Sequence, residues 1–177
     1  MTRTAAPTRP APITERPRIP SEYGMPQTGD GLIPYERLDK RLREARVYWV
    51  GTAGADGRPA VRPVDGLWVD GVLYVGGSPE TRWVRNLEAN PRASVHLDDG
   101  FDAAIVEGDA EPLPDGVDRG LAERLAAESN RKYPQYGMTA ESYERGPAGF
   151  AIRPRMGLAW KDFPKDLTRY RFDHNRS

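Results

Sequence analysis

The chain of 177 residues has the length of one ordinary domain. Its 26 basic and 26 acidic residues cancel, which argues against nucleic acid as a partner because phosphate backbones select for excess positive charge. It contains no cysteine, which excludes disulfides, zinc–thiolate centres, iron–sulfur clusters and a thiol nucleophile. No apolar run approaches the ~20 residues of a membrane span and no apolar leader follows the N-terminus, so we expect a cytoplasmic protein without a membrane partner.

The chain begins with two segments that have little to bury. Residues 1–20 contain five prolines and four arginines, and this composition predicts a disordered arm. Residues 21–33 are still rich in glycine and proline but carry scattered apolar side chains, so we expect a docking arm that lies across a partner subunit. The ordered domain is predicted over residues 34–173, and residues 174–177 form a tail.

The first half of this domain predicts one helix followed by antiparallel strands. Pro34 opens a segment with apolar residues at helical spacing, which predicts a helix as far as Arg46. Segments rich in β-branched and aromatic residues follow, and Asp-Gly pairs within them predict tight hairpin turns. We therefore expect an antiparallel meander from residues 47–53, 59–64, 67–69 and 72–75.

The second half alternates helices with strands. Residues 79–89 have apolar side chains at helical spacing, and Asn90-Pro91 ends that helix. The same reasoning predicts strands over 92–97 and 103–110, a helix over 117–133, and final strands over 149–161 and 167–172. This order indicates a mainly β (α+β) fold, a small antiparallel barrel with a few inserted helices.

Few side chains are available for catalysis or metal binding. The two histidines are His96 and His174, and His174 lies in the predicted tail, so no metal site is expected. His96 falls in a predicted strand and is interpreted as an ordinary strand residue. The sequence has no Gly-x-Ser-x-Gly elbow, no P-loop and no Gly-x-Gly-x-x-Gly after a strand, which argues against a serine hydrolase, an ATPase and a Rossmann enzyme. Catalytic residues stay unknown, and a cofactor would have to supply the reactivity.

One segment has the composition of an anion-binding site. Residues 76–85 follow a predicted strand and open the helix over 79–89. The glycines at its start let backbone N–H groups approach a ligand, while Thr81 and Arg82 lie in the first turn beside the positive end of the helix dipole. A terminal phosphate would suit this segment, although a plain helix cap with exposed arginines would show the same pattern.

Several groups of residues occur in the order and spacing of a known family: Tyr48-Trp-Val-Gly-Thr, Asp56-Gly-Arg-Pro-Ala-Val-Arg-Pro-Val64, Asp70-Gly-Val-Leu-Tyr74, and Thr81-Arg82 with Asn86-Leu87 and Asn90-Pro91-Arg92. They resemble the pyridoxamine 5′-phosphate oxidase-like family, the split β-barrels that bind FMN or F420, and its actinobacterial members most of all. The similarity covers residues 35–172. It implies an antiparallel split barrel and a homodimer whose subunits share the cofactor site.

The resemblance also implies which residues hold the cofactor. Arg62 matches the arginine that points from the second barrel strand to the FMN phosphate. Thr81 and Arg82 match the start of the family's Ser-Arg-Lys phosphate motif. Trp83 replaces the lysine, so the third contact is missing or comes from Arg85. Further cofactor contacts are expected from Val64, Gly76 and Ser78.

The C-terminal strands both support and limit the resemblance. Trp160 and Arg169 match the closing strand pair that contacts the flavin from the other subunit. The true oxidase holds pyridoxamine phosphate with an Arg-x-His before its final arginine, where this chain has Asp166-Leu-Thr168. A carboxylate there would repel a phosphorylated substrate, so we do not expect a vitamin B6 oxidase.

Two functions stay open at this point. One is an oxidoreductase that transfers hydride to or from a small planar or apolar molecule, with FMN as the expected cofactor and F420 as the alternative. The other is a non-catalytic split barrel that binds a flavin or haem. Tryptophan faces would suit a planar substrate. Trp68 and Trp83 are interpreted as core residues, whereas Trp160 is expected near the cofactor.

Overall fold

The computed structural model describes residues 10–145, 147 and 149–172. Within them the helices are α1 (Tyr35–Glu44), α2 (Arg82–Ala89), α3 (Arg119–Lys132) and α4 (Ala140–Glu144). The strands are β1 (Ile13–Glu15), β2 (Tyr48–Ala53), β3 (Pro59–Val64), β4 (Leu67–Val69), β5 (Val72–Val75), β6 (Arg92–His96), β7 (Ala103–Pro112), β8 (Phe150–Trp160) and β9 (Thr168–Arg171). No helix of this described part is long and apolar enough to cross a membrane.

All strand pairs in the sheet are antiparallel. The hydrogen-bonded order is β1-β9-β8-β7-β6-β2-β3, and the β4–β5 hairpin joins through β5 to β8. The Asp-Gly turns lie where they are predicted. Gly57, Asp70 and Gly71 all have positive φ, which is the backbone that tight hairpin turns require. The prediction of a mainly β, antiparallel fold with inserted helices is confirmed.

The predicted continuous meander is wrong, because β3 and β4 are not paired. The β4–β5 hairpin does not continue from the edge of β3; its strand β5 pairs with β8 instead. Every residue of β4 and β5 is buried, whereas most of β3 is exposed. A strand buried on both faces needs cover on both sides, and here the barrel core covers one face and α3 packs near the other. A hairpin paired with the exposed edge of β3 would lack this cover.

The N-terminal segment differs from its predicted disorder. Within the described residues, Ile13–Glu15 forms β1 on the edge of β9, and the Glu15 carboxylate pairs with both Arg169 and Arg171. Pairing with a distant strand therefore orders a segment that cannot form a core alone. Residues 1–9, the rest of the predicted arm, and the tail at 174–177 lie outside the described residues.

The C-terminal end of the predicted docking arm packs against its own chain. The Ile33 side chain is buried in the barrel core, its N–H donates to the Thr168 hydroxyl over 2.9 Å, and its carbonyl accepts from the Tyr170 hydroxyl over 2.7 Å. Tyr23 is 53% exposed and makes an edge contact with Phe163. The end of this arm near Ile33 therefore packs into the barrel core of its own subunit.

Two apolar clusters hold the domain together. The larger one fills the barrel and includes Leu42, Tyr48 and Val95. The smaller one lies between the β4–β5–β8 region and α3, and it includes Tyr74 and Leu125. The insertion that carries α3 and α4 thus covers the outside of the barrel.

Candidate functional site

The N-terminus of α2 offers free backbone donors. Thr81 is the N-cap residue, but its hydroxyl donates to the carbonyl of Ser78 over 2.7 Å and does not cap the helix. The first turn contains no acidic residue. The helix begins at Arg82, three residues later than predicted. Within the described residues no side chain caps its first N–H groups, and together with the helix dipole these groups favour an anion.

The two glycines before this helix have different roles. A Cβ on Gly76 would meet no atom within 4 Å, so the backbone there is open to a ligand. A Cβ on Gly77 would overlap the indole of Trp83. Trp83 is buried in the barrel core and packs under the loop, which confirms its interpretation as a core residue. Trp68 is likewise buried.

Three arginines near this helix have no carboxylate partner in the described part of the chain. Arg62, Arg82 and Arg85 are all exposed. Arg62 donates to the carbonyl of Val61 over 2.7 Å, and Arg85 donates to the carbonyl of Glu80 over 2.6 Å. Because none of the three forms an ion pair there, their positive charges are available to an anion.

A buried hydrogen bond fixes α2 against the sheet. The Asn86 amide donates to the hydroxyl of Thr52 on β2 over 3.0 Å, and both side chains are buried. Since α2 packs on β2 and β3, this contact holds the helix next to the strand that carries Arg62. Val64, at the end of β3, is half-buried and packs against the core. The role of Asn86 is not predicted from the sequence, although a polar residue on the apolar face of α2 is the available signal.

Trp160 and Arg169 form a second group, apart from the first. Leu158 pairs with Arg169, so Trp160, two residues further along β8, shares the face of Arg169. The Trp160 indole N–H donates to the carbonyl of Gly100 over 3.1 Å. Strands β7, β6 and β2 lie between this pair and β3 in the sheet order. The chain therefore places the predicted phosphate residues on β3, α2 and the loop before α2, and β3 and α2 pack together, whereas Trp160 and Arg169 lie on β8 and β9.

Arg169 already has a carboxylate partner. Its Nε donates to the Glu15 carboxylate over 2.9 Å, and its Nη2 lies 2.7 Å from the same oxygen. Arg171 shares that carboxylate. The predicted cofactor contact from Arg169 would have to compete with this pairing.

Trp160 is linked to three exposed aromatic residues, directly or through a neighbour. Phe163 makes an edge contact with Trp160 and another with Tyr23. Phe101 follows the glycine that Trp160 binds and is 89% exposed. Tyr23, Phe101, Trp160 and Phe163 are called the aromatic patch below. Exposed apolar groups this close together mark interaction surfaces.

The residues that replace the oxidase's Arg-x-His serve the local loop. Thr168 is fully buried, and its hydroxyl donates to the Asp166 carbonyl over 2.8 Å. The Asp166 carboxylate accepts the backbone N–H groups of Lys161 and Asp162 at 3.0 and 2.9 Å. Neither side chain is therefore free to bind a substrate phosphate.

His96 behaves as the strand residue it was interpreted to be. Its ring stacks on Trp49 with centroids 6.2 Å apart, and Nδ1 lies 2.8 Å from the Leu97 carbonyl. Among the described residues, no three His, Cys, Asp or Glu side chains are grouped so that they could hold a metal ion.

A buried ammonium with a lowered pKa lies next to the barrel. Lys132 donates to the Tyr48 hydroxyl over 2.9 Å and to the Gly66 carbonyl over 3.3 Å. Burial lowers the pKa of Lys132 to about 8, although the nearby Glu128 carboxylate acts in the opposite direction. Burial also raises the pKa of Tyr48 well above its ordinary value. These groups tie the end of α3 to the turn between β3 and β4.

Comparison with solved structures shows the same architecture. A conserved hypothetical protein from Mycobacterium tuberculosis has a TM-score of 0.59 at 20% identity, over 76% of this chain and 89% of that chain. A FAD-binding protein from Mesorhizobium loti has a TM-score of 0.54 at 24% identity, over 78% and 93%. A putative 5-nitroimidazole antibiotic resistance protein from Bacteroides thetaiotaomicron has a TM-score of 0.54 at 14% identity, over 81% and 89%. At these identities the likeness concerns the fold alone.

The sequence comparison is more specific. No curated protein matches the chain. The family model described as pyridoxamine 5′-phosphate oxidase matches residues 35–156, more than half of the sequence. The expected resemblance is thus confirmed over α1 to most of β8. The chain belongs to the pyridoxamine 5′-phosphate oxidase family and has a split-barrel fold.

Proposed function

We propose that this protein is an FMN-dependent oxidoreductase, with F420 as the alternative cofactor, that acts on a small planar or apolar molecule. The observation that carries the proposal is the uncapped N-terminus of α2 beside three arginines without carboxylate partners in the described chain. When bound, the flavin or deazaflavin supplies hydride transfer, and the protein supplies position and electrostatics. The FAD-binding relative from M. loti is consistent with a flavin.

The residues present fit a terminal phosphate. Arg62, Arg82 and Arg85 would supply charge, while the backbone N–H groups of the first turn of α2 would supply donors. Gly76 would let the cofactor approach, because no atom lies within 4 Å of where its Cβ would be. Ser78 and Thr81 form the turn that orients these N–H groups, because the Thr81 hydroxyl donates to the Ser78 carbonyl.

We propose a homodimer, because the family resemblance implies a cofactor site that two subunits share. Arg62 lies on β3, whereas Trp160 and Arg169 lie on β8 and β9, and a second copy would bring its own Trp160 and Arg169 to Arg62. The aromatic patch offers apolar surface for that contact, and Val61 on the exposed edge strand β3 offers more. Light scattering of the cofactor-loaded protein at micromolar concentration should give a dimer mass; a monomer mass would contradict this part.

We propose that pyridoxamine and pyridoxine 5′-phosphates are not substrates. The place of the oxidase's Arg-x-His holds a buried hydroxyl and a carboxylate bound to its own loop, and neither attracts a phosphate. Supplying pyridoxamine 5′-phosphate and oxygen to the cofactor-loaded protein should give no pyridoxal 5′-phosphate. Turnover at about 1 s⁻¹ or faster, a rate typical of enzymes, would contradict the proposal.

The phosphate site is tested by cofactor titration. Arg62→Ala should weaken FMN binding by about 1.5–3 kcal/mol, roughly 10- to 150-fold, because it removes a charge-assisted hydrogen bond. Arg155→Ala is the matched control, since Arg155 is an exposed arginine of β8 that pairs with Asp109. Equal affinity of both variants and the parent would show that the phosphate binds elsewhere.

Two spectroscopic measurements decide the cofactor and the activity. FMN and F420 have different visible absorbance maxima, so the spectrum of the purified protein identifies which one is bound. Stopped-flow mixing with NAD(P)H or with reduced F420 then follows reduction of the bound flavin. A cofactor that binds but is never reduced would favour the alternative of a non-catalytic binding protein.

A further inference from the structure

A cavity lies at the turn of the β4–β5 hairpin, between α1 and α3. It has a volume of about 610 Å³, and cavities of roughly 300–1,000 Å³ suit small-molecule ligands. Gly71 in the turn lines it, whereas Gly76 of the proposed phosphate site follows the other end of the hairpin. Between these ends β5 has four residues, which span roughly 13 Å at about 3.3 Å per residue. The described lining includes none of the residues proposed to hold the cofactor, so this cavity is separate from the cofactor site.

Two helices face the cavity with residues at helical spacing. The lining residues of these helices are Tyr35, Asp39 and Arg43 on α1, and Arg124, Ala127, Glu128 and Arg131 on α3. Residues three or four positions apart lie on one face of a helix, so each helix presents one row of side chains. Each row contains an acid followed by an arginine, and the two residues form an ion pair in both rows. The third arginine, Arg124, binds Asp70 in the hairpin turn over 2.9 Å.

The arginine is the outer partner in two of these three ion pairs. The Arg43 side chain is 55% exposed, whereas that of Asp39 is 19% exposed. The Arg131 side chain is 53% exposed, whereas that of Glu128 is 15% exposed. Glu128 also has a second cation nearby, since the Lys132 ammonium lies 3.8 Å from its carboxylate. A ligand that enters the cavity therefore meets guanidinium groups before it meets the deeper carboxylates.

These guanidinium groups keep N–H donors for a ligand. A guanidinium carries five N–H groups. Within the described chain, Arg43 donates through Nη2 alone. Arg124 uses Nε and Nη1 and leaves Nη2, while Arg131 uses Nε and Nη2 and leaves Nη1. Together with Lys132, the groups at the cavity carry four positive charges against three negative ones, so they favour an anion over a cation.

Three aromatic side chains also line the cavity, those of Tyr35, Trp68 and Phe172. The rings of Tyr35 and Phe172 meet edge to face with centroids 5.7 Å apart. The Trp68 indole N–H donates to the Asp39 carboxylate over 2.8 Å, which fixes this ring before any ligand arrives. Aromatic linings of this kind favour a flat ligand.

We propose that this cavity binds a flat aromatic molecule that carries a carboxylate, in preference to neutral or cationic analogues. The rings would contact the flat part of the ligand. The unused guanidinium N–H groups would pair with the carboxylate, which an arginine can bind through two parallel hydrogen bonds. This proposal goes beyond the oxidoreductase function and does not depend on it, because binding can be measured without any cofactor.

The test uses three probes with one ring system and three charges: 2-naphthoate, 2-naphthylmethanol and 2-naphthylmethylamine. In isothermal titration of the full chain at pH 7, naphthoate should bind about fivefold more tightly than the alcohol, which is the upper end for a partly exposed ion pair. The amine should bind no more tightly than the alcohol. Arg43→Gln and Arg124→Gln each remove one positive charge, and each should lower the preference for naphthoate about two- to threefold.

Three further variants locate the binding. Arg58→Gln changes an exposed arginine between β2 and β3 that is outside the described lining, and it should leave all three affinities unchanged. Ala127→Trp places a large ring in the lining and should weaken all three probes, with circular dichroism confirming the fold. Arg62→Ala should leave naphthoate binding unchanged, because Arg62 belongs to the proposed phosphate site.

Five results would overturn the proposal. No probe binds at millimolar concentration, the alcohol or the amine binds as tightly as naphthoate, or the folded Ala127→Trp variant binds like the parent. Equally decisive is an unchanged preference for naphthoate in both Arg43→Gln and Arg124→Gln. The fifth is weaker naphthoate binding in Arg62→Ala than in Arg43→Gln, because the anion would then occupy the phosphate site.

Discussion

Stability should rise with pH because of Lys132, whose side chain is 1% exposed. Its pKa is lowered from 10.5 to about 8 in the folded protein by burial. Below pH 8 the ammonium is charged in both states, and the cost of burying it is fully present. Between about pH 8 and 10.5 the folded protein has lost this proton while the unfolded chain keeps it. Unfolding then takes up a proton, so the free energy of unfolding increases with pH.

The magnitude follows from the difference between the two pKa values. At about 1.36 kcal/mol per pH unit, the gain between pH 8 and 9.5 is about 2 kcal/mol. We expect this gain to end near pH 9.5, because burial raises the pKa of Tyr48 in the folded protein. At higher pH this tyrosine ionises in the unfolded chain but not in the folded protein, which lowers the free energy of unfolding. Urea unfolding at pH 7.5, 8.5 and 9.5 measures the profile.

The matched substitutions separate this effect from other titrating groups. Lys132→Met removes the buried ammonium but keeps an unbranched apolar stem, so its profile should lack the gain of about 2 kcal/mol. Lys40→Met changes an exposed lysine of α1 and should keep the parent profile. If the profiles of Lys132→Met and the parent run parallel from pH 7.5 to 9.5, the reasoning about the buried amine is refuted.

Three further predictions concern the supports of the site. Gly77→Ala should lower the free energy of unfolding by about 1–3 kcal/mol, because its Cβ would overlap the buried indole of Trp83. Gly76→Ala should change this free energy by less than about 0.5 kcal/mol, and equal effects of the two substitutions in urea unfolding would contradict the prediction. Asn86→Ala should cost about 1–3 kcal/mol by leaving the Thr52 hydroxyl buried without its donor, and an unchanged urea midpoint would show that the bond does not matter. Glu15→Gln should speed amide hydrogen exchange in β1 while costing less than about 1 kcal/mol globally, since the lost ion pairs are partly exposed; unchanged exchange would show that strand pairing alone holds β1.

Most of the regular elements could be predicted because their signals are local. Alternating apolar residues, Asp-Gly turns and the helical spacing in 79–89 are read from neighbours in the chain, and they gave β2 to β9, α1, α2 and α3 within a few residues. Two short elements were missed. β1 has three residues and depends on pairing with β9, and α4 has five residues, with a capping box between Thr139 and Ser142. A short element carries too little periodicity to be recognised without its tertiary contacts.

The sequence by itself determined the family and the fold class, and it predicted a set of residues that could receive a phosphate. Only the tertiary structure decided what each of them touches. It buried Trp83 under the loop, paired Arg169 with Glu15, and enclosed Thr168 in the barrel. It also left the three arginines near α2 without acidic partners in the described chain. Such contacts join residues far apart in the chain, and their energies depend on distance and burial. The spacing of residues along the sequence gives neither of these quantities.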